Sequence, residues 1–174
     1  NKHNAIPREA FAVVAIPKKD EKSFKKFVSK YNDIVKAEYA AVEPDLTVAA
    51  EKHDMPEKVF DEKTQRHLVN ALYAIPHGVL KMSNDIPGLV ETSNNLAVVE
   101  TNGKNINIVT SQRSSVASEN VDATNMVSSV LKLAGAEISY GDGYPGWKPD
   151  ISSDILKVFK STFNQMYGKE PQVT

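Results

Sequence analysis

The apolar positions of this chain change period several times, and each change marks an element. Phe11 to Ile16 is a short, nearly continuous apolar run closed by Pro17, the pattern of a strand. From Phe24 the spacing turns helical. Phe24, Phe27, Val28, Tyr31, Ile34, Val35 and Val42 form one stripe with Lys and Asp on the other side, and Glu43-Pro44-Asp45 ends it. Leu46 to Ala50 predicts a strand. Asp61 is placed to cap a second helix, whose stripe is Leu68, Ala71, Leu72 and Ile75 and which stops at Pro76-His77-Gly78. Val79 to Met82 predicts another strand. A third helix runs from about Ser118 to Ala134, with Val127, Val130, Leu131 and Ala134 inward and Gly135 as the residue that ends it. Ala136 to Tyr140 predicts the last strand. Beyond the turn-rich stretch 141–150, Ser152 opens an amphipathic helix with Ile155, Phe159, Phe163 and Met166 on one side, ended by Gly168 and Pro171.

Between the second and third helices, Glu91 to Ser115 reads as a strand, an Asn102-Gly103 turn and a returning strand that ends on a lone cation, Arg113. Both turn residues tolerate the positive φ of a tight hairpin turn, so the pair fixes which side chains share a face. With no bulge, Thr101 faces Lys104, Val99 faces Ile106, Asn95 faces Thr110 and Thr92 faces Arg113. One face then carries Thr92, Asn94, Leu96 and Val98 against Asn107, Val109, Ser111 and Arg113. A β-bulge would bring Asn95 across to it. A guanidinium beside a hydroxyl and an amide fits a carboxylate, since Arg offers a rigid fork of donors; the plainer alternative is a solvated strand end.

From about residue 46 to 142 the order is strand, helix, strand, hairpin strands, helix, strand. That order predicts an α/β fold of the α+β two-layer kind, a ferredoxin-like antiparallel sheet with helices packed on one face. Residues 4–42 add a strand and a helix that echo the later hairpin strand and third helix, as a degenerate duplication would.

Composition narrows the classes. The chain has 174 residues, 41% of them apolar and 25% charged, with a net charge of −1, as an ordinary globular domain does. Charges of both signs are interspersed, so no basic field is available for nucleic acid or an anionic membrane, and neither partner is expected. There is no cysteine, which excludes disulfides and thiolate metal sites. No apolar run reaches membrane-spanning length and no signal-peptide pattern is seen, so the expected location is cytoplasmic.

Catalytic motifs are missing from these residues: no Gly-rich phosphate loop, no G-x-S-x-G and no H-E-x-x-H. The histidines, His3, His53, His67 and His77, are scattered over a terminus, a loop, a helix and a turn. Nothing in their spacing builds a metal site with Asp54 or Asp61, and the adjacent pair His53-Asp54 has no nucleophile beside it.

Five segments occur in an order that changes the picture: Asn4-Ala5-Ile6-Pro7-Arg8-Glu9-Ala10-Phe11, Val90-Glu91-Thr92-Ser93-Asn94-Asn95-Leu96, Arg113-Ser114-Ser115, Leu133-Ala134-Gly135-Ala136 and Tyr144-Pro145-Gly146-Trp147-Lys148-Pro149-Asp150. Together they closely resemble the aminoacyl-histidine dipeptidases (Xaa-His dipeptidases of the PepD type, or cytosol non-specific dipeptidases), a branch of the di-zinc exopeptidases. The resemblance covers essentially the whole chain. It implies a lid, or dimerisation, domain over residues 1–143, then a linker and helix, 144–174, that return to the catalytic domain.

It also implies that the zinc ligands and the catalytic carboxylate lie outside this chain, so that the chain has no catalytic residue, metal ligand or cofactor of its own and is inactive alone. The two zinc or other divalent ions would belong to the parent enzyme. A catalytic-site histidine of the lid belongs upstream of Asn1. Arg113 matches the lid arginine that in related enzymes binds the free C-terminal carboxylate of the peptide, helped by a neighbouring Asn or Thr. The resemblance favours Asn95 or Thr92 as that neighbour, whereas hairpin parity favours Thr92 and Asn94. Asn4 is a further candidate, but Pro17 stands where related lids place an arginine, and its expected role is structural. The expected partners are the catalytic domain of the same polypeptide, the dipeptide and a second copy in a homodimer. The alternative reading is a free-standing ferredoxin-like module that binds a small carboxylate ligand.

Overall fold

The structure is a computed structural model and describes residues 2–171. The chain divides into two compact units, one of residues 9–61 and one made of residues 1–8 with 62–174.

The smaller unit is built on helix α1, Glu21–Tyr39, entered through a 3-10 turn at Lys18–Asp20 after Pro17. The stripe read from the sequence is helical from Phe24 to Val35, while Val42 lies in the turn beyond the helix end; of its residues only Val35 is buried, and Phe27 and Tyr31 stack on each other while largely exposed. Two of the expected strands fall here, and neither forms a ladder. Phe11 to Ile16 has no regular secondary structure and is mostly exposed. In Leu46 to Ala50 the residues Leu46, Val48 and Ala50 are half-buried and alternate with exposed ones, as in a strand. The Val48 N–H, however, donates to Asn32 Oδ1 of α1 at 2.9 Å rather than to another strand. An extended segment becomes a strand only when a second one pairs with it, and periodicity cannot show whether that partner exists. The echo of a strand and helix in residues 4–42 therefore survives only in the helix.

The larger unit holds the sheet. Helix α2, Glu62–Ala74, turns at Pro76-His77 into strand β1, Gly78–Met82, where Gly78 takes φ +94°. The loop to the next strand is closed by Ser83, whose Oγ accepts from the N–H groups of Asp85 and Ile86, and Ile86 is buried. Strands β2, Val90–Asn102, and β3, Asn105–Ser114, form the hairpin; helix α3, Ala117–Leu133, then lies against both, and helix α4, Asp154–Tyr167, follows the linker. The sheet is antiparallel with the order β1-β2-β3, which leaves β3 at an edge. The α+β architecture with an antiparallel sheet is as expected. Among the described residues its ladder has three strands, because Ala136 to Tyr140, like Leu46 to Ala50, makes no strand pairing.

The core of this unit is assembled from small and medium side chains: Ala71, Ile75, Ile86, Ala97, Ala123 and Val127. Helix α3 ends as its sequence dictates. Gly135, at φ +81°, donates to the Lys132 carbonyl, and the Ala136 N–H reaches back to Leu131, so the last turn's carbonyls are satisfied. His67 of α2 donates from Nδ1 to the Ala134 carbonyl at 2.9 Å and ties α2 to that helix end; a carbonyl only accepts, which fixes the tautomer.

Candidate functional site

The hairpin decides which side chains meet Arg113, and its register differs from the one expected. The tight loop is Gly103-Lys104, closed by the pair Asn102 and Asn105. Gly103 takes φ +60° at the first central position, as a type II′ turn requires, and no described non-glycine residue has positive φ. This shift of two residues leaves the faces unchanged, because side chains alternate with period two. A bulge reverses them: Leu96 pairs with Thr110 and Val98 with Val109, so Ala97 is the extra residue. Next to it, the Leu96 N–H donates to His77 Nδ1 at 3.0 Å, so the strand is bonded at the bulge from outside the sheet.

Beyond the bulge Arg113 is therefore paired with Ser93 and not with Thr92. Arg113, Ser93, Ser111 and Asn95 share one face. Thr92, Asn94, Gln112 and Ser114 share the other, which is closed. Thr92 and Asn94 are each 2% exposed. The Thr92 hydroxyl bonds that of Ser114 at 2.9 Å, and Ser114 Oγ in turn accepts from the Val116 N–H at the start of α3. Asn94 donates to the Pro76 carbonyl and accepts from Gln112 Nε2 at 2.8 Å. Both residues thus turn their polar atoms to bonds that hold β2 to β3 and to the end of α2, on the face away from Arg113.

Asn95 is on the face of Arg113, as a bulge was expected to place it. Its amide nitrogen is spent on the N-terminal segment, donating to the carbonyls of Ala5 at 2.8 Å and His3 at 3.3 Å. Its Oδ1 is buried and finds no partner among the described residues. Asn95 thereby moors the residues around Asn4 beside the open face.

The Arg113 side of the hairpin opens on a concavity of about 1090 Å³, also lined by Ser93, Ser115, His3 and the linker residues Tyr144 and Trp147. Arg113 is exposed, and among the described residues no carboxylate pairs with it. Two carboxylates that line the same concavity, Glu137 and Asp142, make no ion pair among the described residues, whereas two neighbouring lysines are matched. Lys81 lies 2.5 Å from Glu119 and 3.1 Å from Glu91, and these bonds hold its pKa above the usual lysine value. Lys148 pairs with Asp85 at 2.8 Å, which likewise raises its pKa. An unmatched guanidinium beside hydroxyl groups is equipped to take an anion with two parallel acceptor atoms, as a carboxylate has.

Sequence reasoning missed Ser93, which stands opposite Arg113, and His3, which the Asn95 amide holds near it. The signal for both is the bulge. The other histidines are elsewhere: His67 and His77 make the bonds already described, and His53 Nδ1 lies 3.0 Å from the backbone oxygen of Asp54, not its carboxylate. Among the described residues no three His, Cys, Asp or Glu side chains are grouped to hold a metal ion. None of the described helices is long and apolar enough to cross a membrane.

No family model matches the chain. A curated relative does: the chain is 33% identical to the cytosol non-specific dipeptidase of Escherichia coli K12 over 170 residues, 98% of this chain. Among solved structures it is similar to an aminoacylhistidine dipeptidase from Vibrio alginolyticus, with a TM-score of 0.86, 31% identity and 91% of this chain covered. The chain spans 35% of the first protein and 32% of the second, about a third of each. The resemblance carried by the five sequence segments thus holds over nearly the whole chain: it is related to one part of these dipeptidases.

Proposed function

We propose that this chain is the lid and dimerisation portion of a cytosolic two-metal dipeptidase and that Arg113 takes the C-terminal carboxylate of the dipeptide. The observation that supports the site is the exposed Arg113, unpaired among the described residues, on the open face opposite Ser93. A cation at a fixed distance from a hydrolytic centre would measure one residue of leaving group, which is what limits such an enzyme to dipeptides. Asn95 acts here as a positioning residue that holds the His3 to Ala5 segment, while Thr92 and Asn94 keep the strand in register. On this reading residues 1–143 form the lid, and 144–174 lead back to a catalytic domain on the same polypeptide.

The described residues do not fit a metal pair, since they hold no group of three ligands. On the reading proposed here the zinc or other divalent ions, with the general base, belong to the polypeptide outside this chain, and the chain alone would be inactive. Among the described residues no further strand pairs with the outer edge of β3, and away from its end, where the linker lies, that edge would offer backbone groups through which two copies associate as a homodimer.

The test is substitution of Arg113 in the full-length polypeptide. Arg113→Lys keeps the charge and loses the fork, and Arg113→Ala loses both. kcat/KM should therefore fall more for Ala than for Lys, by roughly 2 to 4 kcal/mol for Ala, or on the order of thirty- to a thousand-fold. Substrates with an amidated C-terminus should be insensitive. Hydrolysis of free dipeptides at the normal rate by Arg113→Ala would refute the assignment.

A further inference from the structure

The linker that follows segment 136–140 is fixed at two points beside the Arg113 concavity. A Cβ on Gly146 would stand 2.3 Å from the Ser114 carbonyl oxygen and 3.2 Å from the Ser115 carbonyl carbon. The linker backbone therefore lies directly on the end of β3, one residue from Arg113, at an approach that only glycine permits. On the other side, Lys148 Nζ pairs with Asp85 Oδ2 at 2.8 Å. Between these two anchors is Trp147, the chain's one tryptophan. It is 77% exposed and lines the concavity together with Arg113 and Ser93. An indole whose backbone is pinned on both sides, and whose exposed ring lines the same concavity as a cation that no described carboxylate pairs with, presents an apolar surface in a cleft that also holds an anion site. Together they match an α-amino acid, with its carboxylate on the cation and its side chain on the ring.

We infer that Trp147 is a specificity-determining residue: its indole is the apolar wall for the side chain of the residue whose carboxylate Arg113 takes. The inference rests on the carboxylate reading of Arg113 and adds to it the class of C-terminal residue preferred, one with a flat or branched apolar side chain. Gly146 and the Lys148–Asp85 pair act through Trp147 as positioning groups.

The experiment compares dipeptides that differ only in the C-terminal residue, with the full-length polypeptide. Trp147→Ala should lower kcat/KM about tenfold for dipeptides ending in Phe or Leu, through KM, and change those ending in Gly less than about twofold. Trp147→Phe should keep most of the preference. Asp85→Lys should weaken the same preference, and combining it with Lys148→Asp should restore it. An equal loss on every substrate, or none on any, overturns the role of Trp147 in an enzyme that still depends on Arg113. Normal turnover by Arg113→Ala sinks the carboxylate site itself, and the inference with it.

Discussion

Replacing Asn94 with alanine tests the register of the hairpin, because Asn94 and its neighbour Asn95 are the same residue on opposite faces. The Asn94 side chain is almost wholly buried and makes two bonds, to the Pro76 carbonyl and from Gln112 Nε2. Alanine leaves a carbonyl and an amide N–H without those partners on the closed face, at about 1 kcal/mol or more for each, and adds a small cavity where the amide was. The sum is roughly 2 to 4 kcal/mol, or about 4 to 16 °C in Tm for a chain of this size. Asn95→Ala on the open face loses bonds to two backbone carbonyls of the exposed N-terminal segment, and should cost on the order of 1 kcal/mol or less. Urea unfolding followed by far-ultraviolet circular dichroism measures both. If the two variants were equally stable, or Asn95→Ala the weaker, the bulge at Ala97 would be absent and the face assignments reversed.

The bond at the bulge is open to a site-specific test: His77→Ala should speed hydrogen exchange at the Leu96 amide, with a stability loss of about 0.5 to 1 kcal/mol, and an unchanged exchange rate would show that His77 does not hold it. Lys81 gives a pH signature. Its pKa is raised in the folded state by bonds to Glu119 and Glu91, so its contribution is fully present below the ordinary lysine value and is lost as pH rises through the higher folded one. The stability difference between the native chain and Lys81→Met should therefore be flat from neutral to mildly alkaline pH and shrink above about pH 10; a difference that grows there would reverse the assignment.

Much of the fold is written in the sequence, and the reason differs by element. The helices are legible because apolar residues recur at helical spacing, whether the stripe is covered, as in Leu68, Ala71, Leu72 and Ile75, or left exposed, as in Ile155, Phe159 and Met166, and because their ends carry the residues the backbone demands. Gly135 and Gly168 both take positive φ at the ends of α3 and α4. The hairpin is legible from its turn, although the glycine occupies the first rather than the second place in it. The relation to the dipeptidases is legible too, because short ordered segments keep their identity whatever the pairing around them.

What tertiary structure alone decided is the pairing. Whether Leu46 to Ala50 and Ala136 to Tyr140 join a ladder depends on what lies beside them, and their own residues hold no record of it. The face of Asn95 is the sharper case. Thr92-Ser93-Asn94-Asn95 is polar at every position, so alternation there carries no inside or outside, and a strand of that kind has its register set by its neighbours. Buried Ala97 supplies the extra residue, and His77, nineteen positions before Leu96, takes the N–H beside it. A single bulged residue fixes which asparagine stands with Arg113, and it depends on a contact between segments that sequence periodicity cannot encode.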